Sequence, residues 1–337
     1  MRLTLLRRLP QRKPLLTLSN FRLRKEKENM ATITAKDVAA LRAKTGIGMM
    51  ECKKALVEAE GDVEAAIKIL REKGELKAES KMASRIAADG VVEILKENGC
   101  TAMIEVNSET DFVAKNETFQ AFVKDLLKIL IAQKPADVDA LMSCKYDDEM
   151  TVEEKVKEMI FKIGEKLTVR RFVVVEGVTS TYIHGTGSIG VIAKFVTDVA
   201  EDKPEFAAFA KNIALQIGAY PTPYLNREQV PASVLEEEKS ILLAQIANDP
   251  ANAKKPEAIK EKMVMGRISK FYDNNCLLDM TYVKDEDLKV GQYVKATAKE
   301  LGGNIEVVDF YRFEKGEGIQ KREENFAEEI AKMTAGK

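Results

Sequence analysis

The chain has 337 residues, 32% of them charged, and a formal net charge of −1, which is enough length for two or three domains and a substantial core. The balance conceals an asymmetry: residues 1–29 hold nine Lys or Arg against Glu26 and Glu28, a net of +7, so residues 30–337 sum to −8. An acidic body argues against general nucleic-acid binding, which needs basic stripes to displace phosphate counterions, and no apolar run approaches the roughly 20 residues of a membrane span.

Residues 1–29 do not read as part of a fold. They are basic, leucine-rich and free of acids until Glu26, the composition of an organelle transit peptide, although Ser19 is their only serine. From Thr34 the chain reads as three short helices. Thr34 caps the first, which carries Val38 and Leu41, and Thr45-Gly46-Ile47-Gly48 breaks it. Met49 to Glu60 supplies the second; after Gly61, Asp62 caps a third that presents Val63, Ala66, Ile67 and Leu70 before Gly74 ends it. Residues 31–74 so form a three-helix module that resembles the ubiquitin-associated (UBA) fold and has only a marginal core of its own. At its Gly46–Gly48 loop the backbone turns sharply while Ile47, Met49 and Met50 stay apolar, and adaptable methionines at a loop suit a docking surface. The competing reading is that the methionines fill this small core. Residues 75–89, polar and alanine-rich, form a helical or extended linker.

Next come two core subdomains, expected at 90–170 and 171–313. Thr101 to Val106 alternates loosely as a strand, and Phe119, Phe122, Val123, Leu126, Leu127 and Leu130 make a helical stripe. Between them, Asn107 to Glu117 is a strand-to-helix turn in which Phe112 and Val113 stand directly behind Asp111. Phe112 either folds back as a staple over the helix start, with Ser108, Thr110 or Asn116 as cap, or projects as an anchor for a partner. A shift of 87 positions pairs Gly90 with Gly177, Val91 with Val178, Asp111 with Asp198, Phe119 with Phe206, Phe122 with Phe209 and Lys124 with Lys211, so two similar α+β units with antiparallel sheets are expected. The second copy reads Asp198-Val199-Ala200, without an aromatic. That difference weakens the staple, because seating the helix would call for an aromatic in both copies.

Between the copies, Val152, Val156, Met159, Ile160 and Ile163 form a stripe ending at Gly164, and Arg171 to Glu176 reads as a strand. His184, the only histidine, sits at a hairpin tip with Gly185 and Gly187; lone and outside any catalytic motif, it is a turn residue or a partner contact. Its glycine run lacks a Gly-Lys-Ser/Thr ending and leads into a strand, so it is not a phosphate loop. After the rigid connector Tyr220 to Leu225, helices from Pro231 to about Asn248 and from about Pro256 to Lys270 make a helical hairpin (about 231–270), read as a narrow projecting arm. Val290 to Leu301 is a helix, Gly302-Gly303 a turn, and Ile305 to Phe313 a strand that completes the second sheet. In the C-terminal module, residues 314–337, Asn325 to Met333 is a short helix that needs something to rest on.

Four of these stretches together resemble one family, translation elongation factor Ts, the guanine nucleotide-exchange factor of elongation factor Tu. They are Leu41-Arg42 with Thr45-Gly46-x-Gly48-Met49-Met50-x-Cys52-Lys53-Lys54-Ala55-Leu56; Thr110-Asp111-Phe112-Val113-Ala114-Lys115-Asn116-Glu117-x-Phe119; Ile183-His184-Gly185-x-Gly187-x-Ile189-Gly190-Val191; and Arg312 to Ile319. The resemblance implies an α+β fold with a UBA-like module, two repeated core subdomains, a coiled-coil insertion in the second and a C-terminal helix. It also implies that Thr110, Asp111, Phe112 and Val113 dislodge Mg2+ from elongation factor Tu, that Arg42, Met49, Met50 and His184 are further contacts with that partner, and that the arm supports self-association. Met30-Ala31-Thr32-Ile33-Thr34 resembles the start of bacterial members, so Met1 is read as an upstream start codon and the protein as cytoplasmic, with an organellar location the alternative if residues 1–29 are a transit peptide.

No paired carboxylates, metal-ligand spacing or nucleophile motif is present, and Cys52, Cys100, Cys144 and Cys276 are too scattered for a zinc or redox site. The expectation is therefore a regulatory binding protein and not an enzyme, with no cofactor, no metal, no direct nucleic-acid contact and no membrane. The alternative of another class is a UBA-like adaptor that binds helical partners without nucleotide-exchange activity.

Overall fold

The computed structural model describes residues 33–252 and 255–320. The readings of residues 1–29 and of the helix Asn325 to Met333 lie outside them. Two compact units emerge, residues 1–83 with 157–164, and residues 84–156 with 165–337.

The first unit is helical: α1 (Ala35–Thr45), α2 (Met49–Glu58) and α3 (Val63–Ser84). Thr34 begins α1 with a reciprocal capping box, its hydroxyl accepting from the Asp37 N–H at 3.3 Å while the Asp37 carboxylate accepts from the Thr34 N–H at 2.9 Å. The Asp62 carboxylate accepts from the N–H groups of Glu64 and Ala65 and so opens α3 as expected. Val38, Leu41, Cys52, Ala55, Leu56, Ala66 and Leu70 form the core, with Phe161 packed against it. Gly74, expected to end the third helix, does not. It lies buried with its α-carbon facing Phe161, where an added Cβ would stand 3.1 Å from two ring carbons, so this glycine permits close packing. Glu75 to Ser84 are mostly good helix formers and carry α3 on through most of the expected linker.

The second unit holds two three-stranded antiparallel sheets. The first has the order β1 (Asp89–Glu97), β2 (Cys100–Ser108), β3 (Thr168–Glu176), and its connections carry α4 (Asp111–Ala114), α5 (Glu117–Gln133), α6 (Val138–Ser143) and α7 (Val152–Ile163), the last of which enters the first unit at Lys157. The second sheet has the order β4 (Val178–His184), β5 (Ile189–Thr197), β8 (Ile305–Glu314). Between β5 and β8 run α8 (Pro204–Ala219), α9 (Ala232–Asn248), α10 (Glu257–Asn275), the short pair β6 (Thr281–Tyr282) and β7 (Asp285–Lys289), and α11 (Val290–Leu301). Helices α5 and α8 start at Glu117 and Pro204, the offset of the sequence repeat. The expected boundary at residue 171 is corrected: β3 pairs with β2, Arg171 opposite Glu105, so this strand closes the first sheet and the division falls at Gly177. Which sheet a strand joins is a long-range choice that its own pattern does not carry.

Phe195, Phe206 and Phe209 anchor the core beneath the second sheet, with Phe195 and Phe206 edge to face at 5.8 Å. The two sheets meet through Val92, Met103, Val175 and Ile192. Gly187 belongs to this contact. Its φ is +87°, and a Cβ there would fall 2.2 Å from Val91 Cγ2, while its carbonyl accepts from the Val92 N–H at 2.8 Å. The glycine run beside His184 is therefore where one repeat's loop presses on the other's first strand. Arms α9 and α10 share a small core of Leu242, Ile246, Val264 and Ile268, with Ile241 and Ile259 outside it and exposed.

A buried carboxylate ties the two sheets. Glu105 is fully buried on β2 and accepts from Arg170 at 2.9 Å, from Arg171 at 2.6 Å, and from the Gly316 N–H beyond β8 at 2.8 Å. Arg171 also stacks on Phe313 and donates to the Glu314 carbonyl. Burial alone would raise the Glu105 pKa, but its hydrogen bonds from Gly316, Asn107, Arg170 and Arg171 outweigh burial and hold it below the ordinary value. No helix among the described residues is long and apolar enough to cross a membrane.

Candidate partner-binding site

Strand β2 ends at Ser108, and two helical starts follow in quick succession. Asn116 caps α5, its Oδ1 accepting from Thr118 N–H at 2.9 Å and Phe119 N–H at 3.2 Å. Of the three candidate caps, then, Asn116 does the capping of the long helix. Thr110 precedes the single turn α4 in extended conformation but makes no cap bond; its hydroxyl donates instead to Glu165 Oε1 at 2.7 Å and its N–H to Glu165 Oε2 at 3.0 Å. Glu109 is tied the other way, accepting from the Lys166 N–H and from Arg85 Nη1 at 3.1 Å.

This clamped turn divides its side chains sharply. Val113 and Ala114 are buried, whereas Asp111 is exposed and Phe112 is 77% exposed. Phe112 does not fold back over the helix start. A large aromatic left in water next to two buried neighbours is an informative exposure, because burying that ring would be favourable. Asp111 accepts from Lys115 Nζ at 2.8 Å, and that ammonium holds its carboxyl below the usual range. Lys115 Nζ also lies 5.9 Å from the centre of the Phe112 ring.

The structure thus gathers Thr110, Asp111, Phe112 and Val113 on one turn. His184, exposed at the end of β4, has its Nδ1 2.8 Å from the Tyr182 hydroxyl. In the helical unit, Arg42 is exposed near the C-terminus of α1, and Met49 and Met50 stand 46% and 65% exposed at the start of α2. Neither methionine fills that unit's core. Glu165, Glu109, Arg85 and Lys166, which hold the turn, escaped sequence reasoning; Glu165 lies 55 residues from Thr110, and a single Glu in a polar connection makes no pattern.

Among the described residues no group of three or more His, Cys, Asp or Glu is arranged to hold a metal ion, and the four cysteines are free thiols. An open cleft of about 600 Å3 lies between Tyr220, Asp273, Tyr282 and Glu286 and contains none of the expected site residues.

The profile of the family described as Elongation factor TS matches residues 109–317, a span that opens at the clamped turn. Among similar proteins, the "Elongation factor Ts" of Clostridium botulinum (strain Eklund 17B / Type B) is 46% identical over 306 residues, covering 89% of this chain and 99% of that protein. That of Clostridioides difficile (strain 630) is 47% identical over 308 residues, covering 90% and 99%, and that of Syntrophotalea carbinolica is 44% identical over 306 residues with the same coverage.

Proposed function

The chain belongs to the elongation factor Ts family, and so to the elongation step of protein biosynthesis; within that role we propose that it binds GDP-loaded elongation factor Tu and drives GDP out. Asp111 and Phe112, flanked by Thr110 and Val113, enter the partner and displace the elements that hold Mg2+ beside the phosphates. That cation offsets the diphosphate charge, so its loss lowers nucleotide affinity and lets GTP reload. The single observation carrying this reading is Phe112, 77% exposed on a turn fixed from behind.

Linkage sets the requirement. The chain must bind the nucleotide-free partner better than the loaded one, and GDP is then weakened by the same factor. Burying one Phe is worth roughly 1.5–3 kcal/mol, at most about two decades of coupling. Further contacts from Arg42, Met49, Met50 and His184 hold the wedge in place. The protein acts as a regulatory binding protein of the cytoplasm, without a cofactor of its own and without turnover of a small substrate. Self-association through the arm is part of the same proposal, and the exposed Ile241 and Ile259 are what support it.

The exposure of Met49 and Met50 favours one second reading, a UBA-like adaptor that captures helical partners and leaves their nucleotide bound. GDP release from purified elongation factor Tu, followed by stopped flow with this chain added, separates the two. Fast release supports exchange; capture of the partner with GDP retained supports the adaptor.

A further inference from the structure

Helix α4 spans only Asp111–Ala114, and one turn closes too few hydrogen bonds to persist by itself. What fixes it is a reciprocal exchange between two connections distant in sequence. The Glu165 carboxylate takes the N–H and hydroxyl of Thr110, while the Glu109 carboxylate takes the N–H of Lys166. Lys166 Nζ completes the tie by donating to the Arg85 carbonyl at 2.8 Å. Each of these bonds has an ionised partner, the stronger class of hydrogen bond. The second repeat supplies a control: there the connection before the third strand also grips the bend, Asn304 N–H donating to Asp198 at 2.6 Å and the Thr197 hydroxyl to the Asn304 carbonyl at 2.7 Å, but no carboxylate reaches in from that connection.

We infer that Glu165 is a positioning residue for nucleotide exchange, its carboxylate pre-setting the turn so that Phe112 meets the partner already ordered. The inference rests on the proposed function. The bonds of Glu165 go to Thr110, one residue removed from the wedge, so it acts by removing the ordering cost that a loose turn would add to binding.

The test uses five full-length chains: wild type, Glu165→Gln, Phe112→Ala, the double variant of these two, and Thr110→Val. GDP release from elongation factor Tu is measured against chain concentration, and amide hydrogen exchange of residues 110–114 is measured in the free chain. Glu165→Gln keeps the shape but removes one acceptor oxygen. Release should slow about tenfold, and amides 110–114 should exchange about tenfold faster while those of β2 stay protected. On the Phe112→Ala background Glu165→Gln should cost nothing further, because a residue that works through the wedge has nothing left to position. Thr110→Val, which removes only the hydroxyl arm of the tie, should reproduce the loss at smaller size. Wild-type release by Glu165→Gln while Phe112→Ala is slow, or additive losses in the double variant, would overturn the inference and leave the proposed function standing. Wild-type release by Phe112→Ala would overturn both.

Discussion

The two repeats place a bend at the same point, after their second strand, and treat it in opposite ways. In the second repeat Val199 packs against the core, and the bend lies so close to the connection leading into β8 that a Cβ on Gly303 would stand 2.6 Å from Val199 Cγ2 and 2.5 Å from Asp198. In the first, the equivalent position is Phe112, turned outward above buried Val113 and Ala114. Both bends are held by the connection that precedes the third strand. The frame is common property of the repeat; the exposed aromatic is an addition made to one copy. A side chain absent from the second bend is not needed to seat the helix that follows it.

The largest expected effect falls on what the repeats share. Glu105→Ala leaves Arg170 and Arg171 facing an uncompensated site between the sheets and should lower stability by about 3 kcal/mol, read as a shift in urea midpoint. Its pH dependence has a definite sign. Because the folded-state pKa of Glu105 is depressed, its contribution is fully present above the ordinary value of 4.5 and is lost as pH falls through the folded pKa. Wild type should therefore lose stability below pH 4.5 more steeply than Glu105→Gln. Equal slopes would show that the latch does not depend on the ionised carboxylate.

The next effect separates the bends. Asp111→Ala with Phe112→Ala should slow GDP release from elongation factor Tu by roughly 10- to 100-fold and leave the melting temperature almost unmoved, since both side chains are exposed. Val199→Ala should do the reverse, costing about 1 kcal/mol of stability with release unchanged. If both substitutions lower stability and neither touches release, the contrast between the copies has no functional meaning. A harder version is Val199→Phe. The ring meets a filled core and should cost about 1–3 kcal/mol without adding activity, because that bend has no outward seat for it.

Much of this was legible in the sequence, for reasons that can be traced to residues. The 87-residue offset anticipates both helices because Phe119 and Phe206 recur on stripes long enough to show a period, and the missing aromatic at Val199 anticipates the exposure of Phe112. Gly74 misleads because composition marks glycine as a stop and says nothing of a Phe161 ring pressed on the helix. The membership of β3 and the reach of Glu165 to Thr110 stay hidden, since both depend on contacts between distant segments. Helix α6 and the pair β6 and β7 are too short for any periodic signal. Glu105 did offer a clue: an acid within Thr101 to Val106, a strand buried along its whole length, had to meet a counter-charge.

The smallest effect tests the wedge from its own side. Asp111 is paired with Lys115 in the free chain, so if the carboxylate is to engage the partner it must first leave that ammonium. Both side chains are solvent-exposed, and exposed pairs are weak and screened by salt. Lys115→Met should therefore quicken GDP release by only about twofold at low ionic strength, and added salt should bring wild type toward the variant. The matching change in the second copy has nothing to release, because Asp198 is held by a backbone N–H. A tenfold slowing by Lys115→Met would reverse the assignment: the ammonium would then be a contact with the partner, and its bond to Asp111 a way of aiming it.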